Sequence, residues 1–228
     1  MFDRFQGVLF DVDGTLVDSS YLHTLCWWQA FRQYQRDVPM AAIHRAIGMG
    51  SGELIRHLVP GIAESEIADL RASHDAHYAG YWAGLRTLPG ARELVRSCHR
   101  SGRVTVLASS ASERELAVLR EVLDIDDAIE AATQSDEAGA GKPAPDLIEV
   151  ALDKAGLAAD QAVYVGDSVW DVQACRAIGL DCIGLECGGT SAAELREAGA
   201  LATFEDPADL LAHGSGLLRH SSDAETQF

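Results

Sequence analysis

The sequence predicts an α/β chain, a doubly wound parallel sheet with an all-helical insertion after its first strand. Three observations predict it. An apolar run, Val8-Leu9-Phe10, ends at once in two acids, Asp11 and Asp13. From residue 88 onward, short apolar runs alternate with segments of helical spacing, the pattern of a parallel sheet. Between residues 20 and 86 that alternation stops and only helical spacing remains.

The elements follow in order. The first strand covers the apolar run after Gly7. Residues 19–35, 40–48, 51–60 and 64–82 read as helices, and no strand of comparable quality interrupts them. The chain then returns to alternation. Residues 103–110, RVTVLASS, read as a buried strand running into small polar residues. Residues 112–123 read as a helix with Ser112 as its N-cap. A short strand is expected within 127–134. A helix over 144–157 has Pro145 in its first turn and Gly156 near its end. Residues 161–168 form a strand ending in Asp167, and 169–180 a helix stopped by Gly179. A strand over 181–186, a helix over 191–200 and a last strand and helix within 201–213 complete the core. This organisation divides the chain into a core of residues 1–17 and 87–213 and a helical unit of 18–86, with hinges near 15–18 and 85–89. Residues from 214 to 228 are polar and are expected to be a mobile tail.

Composition narrows the function classes. The chain has 228 residues, 47% of them hydrophobic, enough for one α/β domain with a smaller insert. Aromatics are only 7%, so aliphatic side chains must form most of the core. The net charge of −17 repels nucleic acid backbones and anionic membranes, though a local site can still oppose that field and bind a small anion. No apolar stretch is long enough for a transmembrane helix, and no basic region followed by an apolar one marks a signal peptide. The five cysteines (26, 98, 175, 182, 187) are scattered, odd in number and form no CxxC. They read as reduced thiols of a cytoplasmic protein. Charge leaves monomer and homodimer both open.

Three expected strands end in reactive groups: Asp11-Val12-Asp13, Ser109-Ser110 and Gly166-Asp167-Ser168. Ligands of open parallel sheets bind outside the carboxyl ends of the strands, so these ends can share one crevice. Lys142 precedes Pro143 in GKPAPD, which biases its backbone toward an extended loop. The DxDG spacing does not match a calcium-binding loop. A hard cation still fits, since magnesium takes one or two carboxylates together with substrate phosphate and water. Asp11 and Asp167 would supply the carboxylates. Lys142 and the cation would supply the positive charge that two carboxylates at a buried strand end require.

Taken in order, DVDGTLVDS, the Ser109 of VLASS, the Lys142 of GKPAPD, and GDSVWD resemble the four motifs of the haloacid dehalogenase superfamily. The resemblance spans residues from about 7 to 213, and the helical insert after the first motif is similar to its group of phosphoglycolate phosphatases and β-phosphoglucomutases. It implies a Rossmann-like core, a cap, and a magnesium-dependent phosphatase of small phosphate esters. Asp11 would be the nucleophile, forming an aspartyl-phosphate. Asp13 would be the general acid and then the general base. Asp11, the Asp13 carbonyl and Asp167 would hold the metal, with Asp171 orienting that site. Ser109, Ser110 and Lys142 would bind the phosphoryl group. Gly14 and Thr15 read as turn residues, and Asp18 and Ser19 as the start of a helix.

The cap would choose the substrate. His23 aligns with a cap histidine of the mutase-like members, placed to align Asp13 or to touch substrate. The mutases carry an arginine in the cap loop and a lysine after the second motif. Here Gly50, Ser51 and Gly52 occupy that loop, and Ser112-Glu113 stand near the lysine's place. These departures favour a phosphatase over a sugar-phosphate mutase. A catalytically inert binding protein would have lost at least one of the four motif residues. Trp27 and Trp28 read as packing for a small helical core, and His74 and His77 as part of a solvated helix face.

Overall fold

A computed structural model describes residues 5–214. Six strands form one parallel sheet: β1 (Gly7–Phe10), β2 (Val104–Ala108), β3 (Ala131–Thr133), β4 (Ala162–Gly166), β5 (Asp181–Leu185) and β6 (Ala202–Phe204). Their order across the sheet is β3-β2-β1-β4-β5-β6, so β1 lies centrally between β2 and β4. The chain runs outward from β1 in both directions. That reversal puts the ends of β1 and β4 side by side at the carboxyl edge of the sheet.

Among the described residues, ten helices accompany the sheet. Four follow β1: α1 (Ser20–Gln33), α2 (Met40–Ala46), α3 (Ser51–Leu58) and α4 (Glu64–Ala79). Six belong to the alternating region: α5 (Ala91–Arg100), α6 (Glu113–Leu123), α7 (Asp146–Ala155), α8 (Val169–Ala177), α9 (Ala192–Ala198) and α10 (Pro207–His213). The expected strands and helices are all present. Helix α5 is an addition, because the sequence reading leaves residues 90–102 unassigned. Ala91, Leu94, Val95 and Cys98 have helical spacing and are buried. The tail lies outside the described residues except for Gly214, which closes α10.

Period-two geometry explains why the core strands are apolar throughout. Val8 and Phe10 of β1 join Val163 and Val165 of β4 in one layer, packed under Leu94, Leu119 and Leu210. Leu9 points the other way, with Val106, Tyr164, Ile148, Val172 and Leu195. A third cluster is drawn from residues 27–70 alone, with Trp27, Phe31, Ile43, Ile55 and Leu70 at its centre. Trp27 is buried there, as its packing role requires. All five cysteines are free thiols. Among the described residues no helix is long and apolar enough to cross a membrane.

Candidate active site

The backbone delivers the first acid. Asp11 follows the last residue of β1, and its N–H still donates to Val165 O of β4 at 2.9 Å. The chain then folds back at once: Val12 O accepts from the N–H groups of Leu16 and Val17, and Gly14 takes φ +79°. That turn places Thr15 beside Asp167, the residue that follows β4, and the Thr15 hydroxyl donates to Asp167 Oδ1 at 2.9 Å and lies 3.5 Å from Asp11 Oδ2.

Lys142 reaches the same point from the loop before α7. Its Nζ lies 2.6 Å from Asp11 Oδ1 and 2.6 Å from Asp171 Oδ1, with the lysine only 1% exposed. Asp171 stands in the first turn of α8. Its Oδ2 accepts from the Ser168 N–H at 3.1 Å and the Ser168 hydroxyl at 2.6 Å, closing a capping box. One oxygen of Asp171 therefore caps the helix and the other holds the lysine.

Three buried carboxylates thus face one ammonium. Asp11, Asp167 and Asp171 each bring an oxygen within 4.8 Å of the others. Burial drives the Asp11 carboxyl up to about 7, opposed by Lys142 and reinforced by Asp171. Burial raises Asp167 well above the ordinary range, with Asp11 and Asp171 adding to it. Burial disfavours the charged lysine, but Asp11 and Asp171 outweigh it and raise Lys142. Hard oxygen donors in excess of local positive charge fit a divalent cation such as magnesium. Two glycines leave room beside Asp167 Oδ2. A Cβ on Gly188 would fall 1.7 Å from Asp167 Oδ2, and one on Gly14 would fall 2.6 Å from it.

Asp13 faces a different set of groups. Its Oδ1 accepts from the Ser19 hydroxyl at 2.6 Å and lies 3.2 Å from His23 Nε2. Glu115 Oε1 of α6 is 3.7 Å from the same ring nitrogen. Burial works against ionisation of Asp13, yet His23 and Ser19 bring its carboxyl below the ordinary value. His23 moves up, because Asp13 and Glu115 beside it outweigh burial. Burial lifts Glu115 to about 7.

Three residues have other surroundings than their sequence reading gives them. Ser19 begins α1 but makes no side-chain cap; its hydroxyl goes to Asp13. Thr15 is more than a turn residue, since it ties Asp167 to the β1 turn. His74 is not on a solvated face: it is 5% exposed, stacked on Trp27 at 4.2 Å and hydrogen-bonded to His23. The sequence marks Glu115 only through the Ser112-x-x-Glu115 pattern of a helix start, and the structure adds its place beside His23. Ser109 lies buried just beyond β2, its hydroxyl accepting from the Ala111 N–H at 3.1 Å. Ser110 follows it and is exposed.

The α1–α4 helices touch the core around this edge. Gly50 N–H donates to Lys142 O at 3.1 Å, and a Cβ on Gly141 would meet Gly50 Cα at 2.4 Å. Trp170 Nε1 donates to Arg45 O at 2.9 Å, and His44 Nε2 lies 3.0 Å from Gly188 O. A cavity of about 610 Å³ opens beside these contacts, lined by Tyr21, Met40, His44, Trp170 and Gly189. It reaches Asp167 but neither Asp11 nor Asp13, so the carboxylate–lysine cluster, not this cavity, marks the chemistry.

The family model for haloacid dehalogenase-like hydrolases matches residues 5–179. The chain belongs to that family. A phosphoglycolate phosphatase of Rhodospirillum rubrum is 31% identical over 215 residues, covering 90% of this chain and 89% of that protein. A phosphoglycolate phosphatase of Escherichia coli K12 is 27% identical, covering 82% of this chain and 83% of that protein. A crystal structure of a hydrolase from Pseudomonas syringae superposes with a TM-score of 0.88 at 32% identity, covering 93% of this chain and 99% of that one.

Proposed function

We propose that this hydrolase is a magnesium-dependent phosphatase of small phosphate monoesters, working through an aspartyl-phosphate. The observation that carries the reading is the pair of acids two residues apart: Asp11 lies against Lys142, and Asp13 lies against His23 and Ser19. One acid sits beside a fixed cation, as a nucleophile facing an anionic phosphoryl group requires. The other sits among proton-carrying groups.

In this reading the Asp11 carboxylate attacks phosphorus. An oxygen–phosphorus bond forms as the ester oxygen leaves. Asp13 gives its proton to the departing alkoxide. It then takes a proton from the water that attacks the aspartyl-phosphate, which returns Asp11 and releases phosphate. Lys142 offsets charge on Asp11 and on the transferred group. Ser109 and Ser110 bind phosphoryl oxygens at the end of β2. Asp11, Asp167 and the Asp13 carbonyl would hold the metal, and Asp171, whose two oxygens already have partners, would orient the site through Lys142. A bound magnesium ion supplies the charge neutralisation that lets a carboxylate approach an anionic phosphate.

Residues 18–86 act as a cap that excludes water and selects the ester. Their separate apolar cluster supports this division, as do their contacts through Gly50, Arg45 and His44. Phosphoglycolate, the substrate in the names of the curated relatives, is the first ester to test. The test is phosphate release across phosphoglycolate, sugar phosphates and nucleoside monophosphates, with magnesium, with EDTA and with Asp11→Asn. Metal-dependent release lost in Asp11→Asn is the expected result. No release from any ester overturns the reading and turns attention to sugar-phosphate isomer interconversion.

A further inference from the structure

Both ring nitrogens of His23 are engaged. Nε2 faces Asp13 Oδ1 at 3.2 Å, and Nδ1 lies 3.1 Å from His74 Nε2. His74 Nδ1 in turn lies 3.0 Å from Asp75 Oδ1. Four side chains therefore form one line from the β1 turn to the exposed face of α4. Aromatic rings fix it from the sides. Tyr78 stacks on His23 at 4.0 Å, and Trp27 stacks on His74 at 4.2 Å.

The line has a direction. Two imidazole nitrogens 3.1 Å apart have room for one hydrogen between them, so one ring donates and the other accepts. A carboxylate accepts and does not donate, so Asp75 takes the Nδ1–H of His74. With that hydrogen on Nδ1, the neutral His74 ring has its lone pair on Nε2. His23 must then donate from Nδ1. Its exchangeable hydrogen is therefore the one on Nε2, which donates to Asp13 when Asp13 is a carboxylate and accepts from Asp13 when Asp13 is protonated, with Glu115 Oε1 3.7 Å from the same nitrogen.

We propose that His74 and Asp75 are positioning residues, which lock His23 as the Nδ1–H donor so that its Nε2 holds the Asp13 carboxyl in place for proton transfer. Neither touches substrate; both act through His23. The arrangement parallels metal-site and triad chemistry, where a distant carboxylate fixes which imidazole nitrogen faces the reacting group. The proposal rests on reading Asp13 as the group that gives and takes the proton.

Asp75 is exposed, so Asp75→Ala is the first variant. It is expected to lower kcat about tenfold with KM for phosphoglycolate unchanged. Asp75→Asn, whose amide oxygen still accepts from Nδ1–H, is expected to recover most of that loss. Nitrogen-15 NMR of the free enzyme supplies a readout independent of turnover. A slowly exchanging ring proton on His23 Nδ1 is expected in the wild type and lost in Asp75→Ala and in His74→Leu. Wild-type kcat in Asp75→Ala overturns the proposal, and so does a reduced kcat with the His23 Nδ1 proton retained. Wild-type enzyme that releases no phosphate sinks the phosphatase reading alone, and the ring-proton comparison still decides the array.

Discussion

The strand-end cluster and the histidine array meet at residues 11–13, and they are built by opposite means. In the cluster, the backbone fixes each group. Asp11 and Asp167 follow paired strands, Asp171 caps a helix, and Lys142 comes from a loop beside them. In the array, position comes from side-chain packing on α1 and α4, ring against ring. The cluster concentrates charge where water is absent. The array carries its carboxylates at the two ends and sets direction through the two imidazoles between them.

Substitutions can test that contrast, beginning with the largest effect. Asp11→Asn is expected to remove phosphate release by several orders of magnitude while the chain stays folded, read by steady-state assay and circular dichroism. Lys142→Met leaves Asp11 and Asp171 buried without their cation. It is expected to cost about 3–5 kcal/mol of stability, seen as a lower denaturant midpoint. If Lys142→Met is as stable as the wild type, charge balance is not what organises the cluster.

Magnesium is expected to raise the thermal midpoint, by about 2.7 kcal/mol of stability at a hundred times its Kd. Gly188→Ala, which would drive a methyl group into Asp167, is expected to abolish most of that shift. An unchanged shift would place the cation elsewhere.

A further effect concerns the array and depends on pH. Burial lowers His74 from 6.5 to about 4. A group with a depressed folded value stabilises the chain above its unfolded value and loses that contribution as pH falls. Between pH 6.5 and 4, the wild type is therefore expected to lose up to ~3 kcal/mol relative to His74→Gln, measured as the difference between their urea midpoints. A pH-independent difference would mean that His74 is not held neutral.

Much of this site was legible because strand ends announce themselves. An apolar run closing in Asp11 or Asp167 can be read locally, and a doubly wound order brings such ends together. What escaped reading depends on distant partners. Thr15 looks like any turn residue until Asp167, 152 positions away, arrives beside its hydroxyl. Ser19 has the composition of a helix cap, and only the bend after β1 turns its oxygen toward Asp13. His74 and His77 share a spacing, but which of them faces inward depends on how α4 packs on α1. Glu115 hides behind a good local explanation as the acid of a helix start. Helix α5 has a local signal as well, since its apolar positions have the right period.

The meeting of Gly50 and Gly141 carries a last consequence. The N–H of Gly50 ends on the carbonyl of Lys142, whose ammonium lies between Asp11 and Asp171. One residue is thereby clamped at both ends, its backbone by the α2–α3 turn and its side chain by the acids. Any departure of that turn from the core lets go of one end while the other stays fast. Lys142 is thus a tether that joins the α2–α3 turn to the nucleophile through one residue.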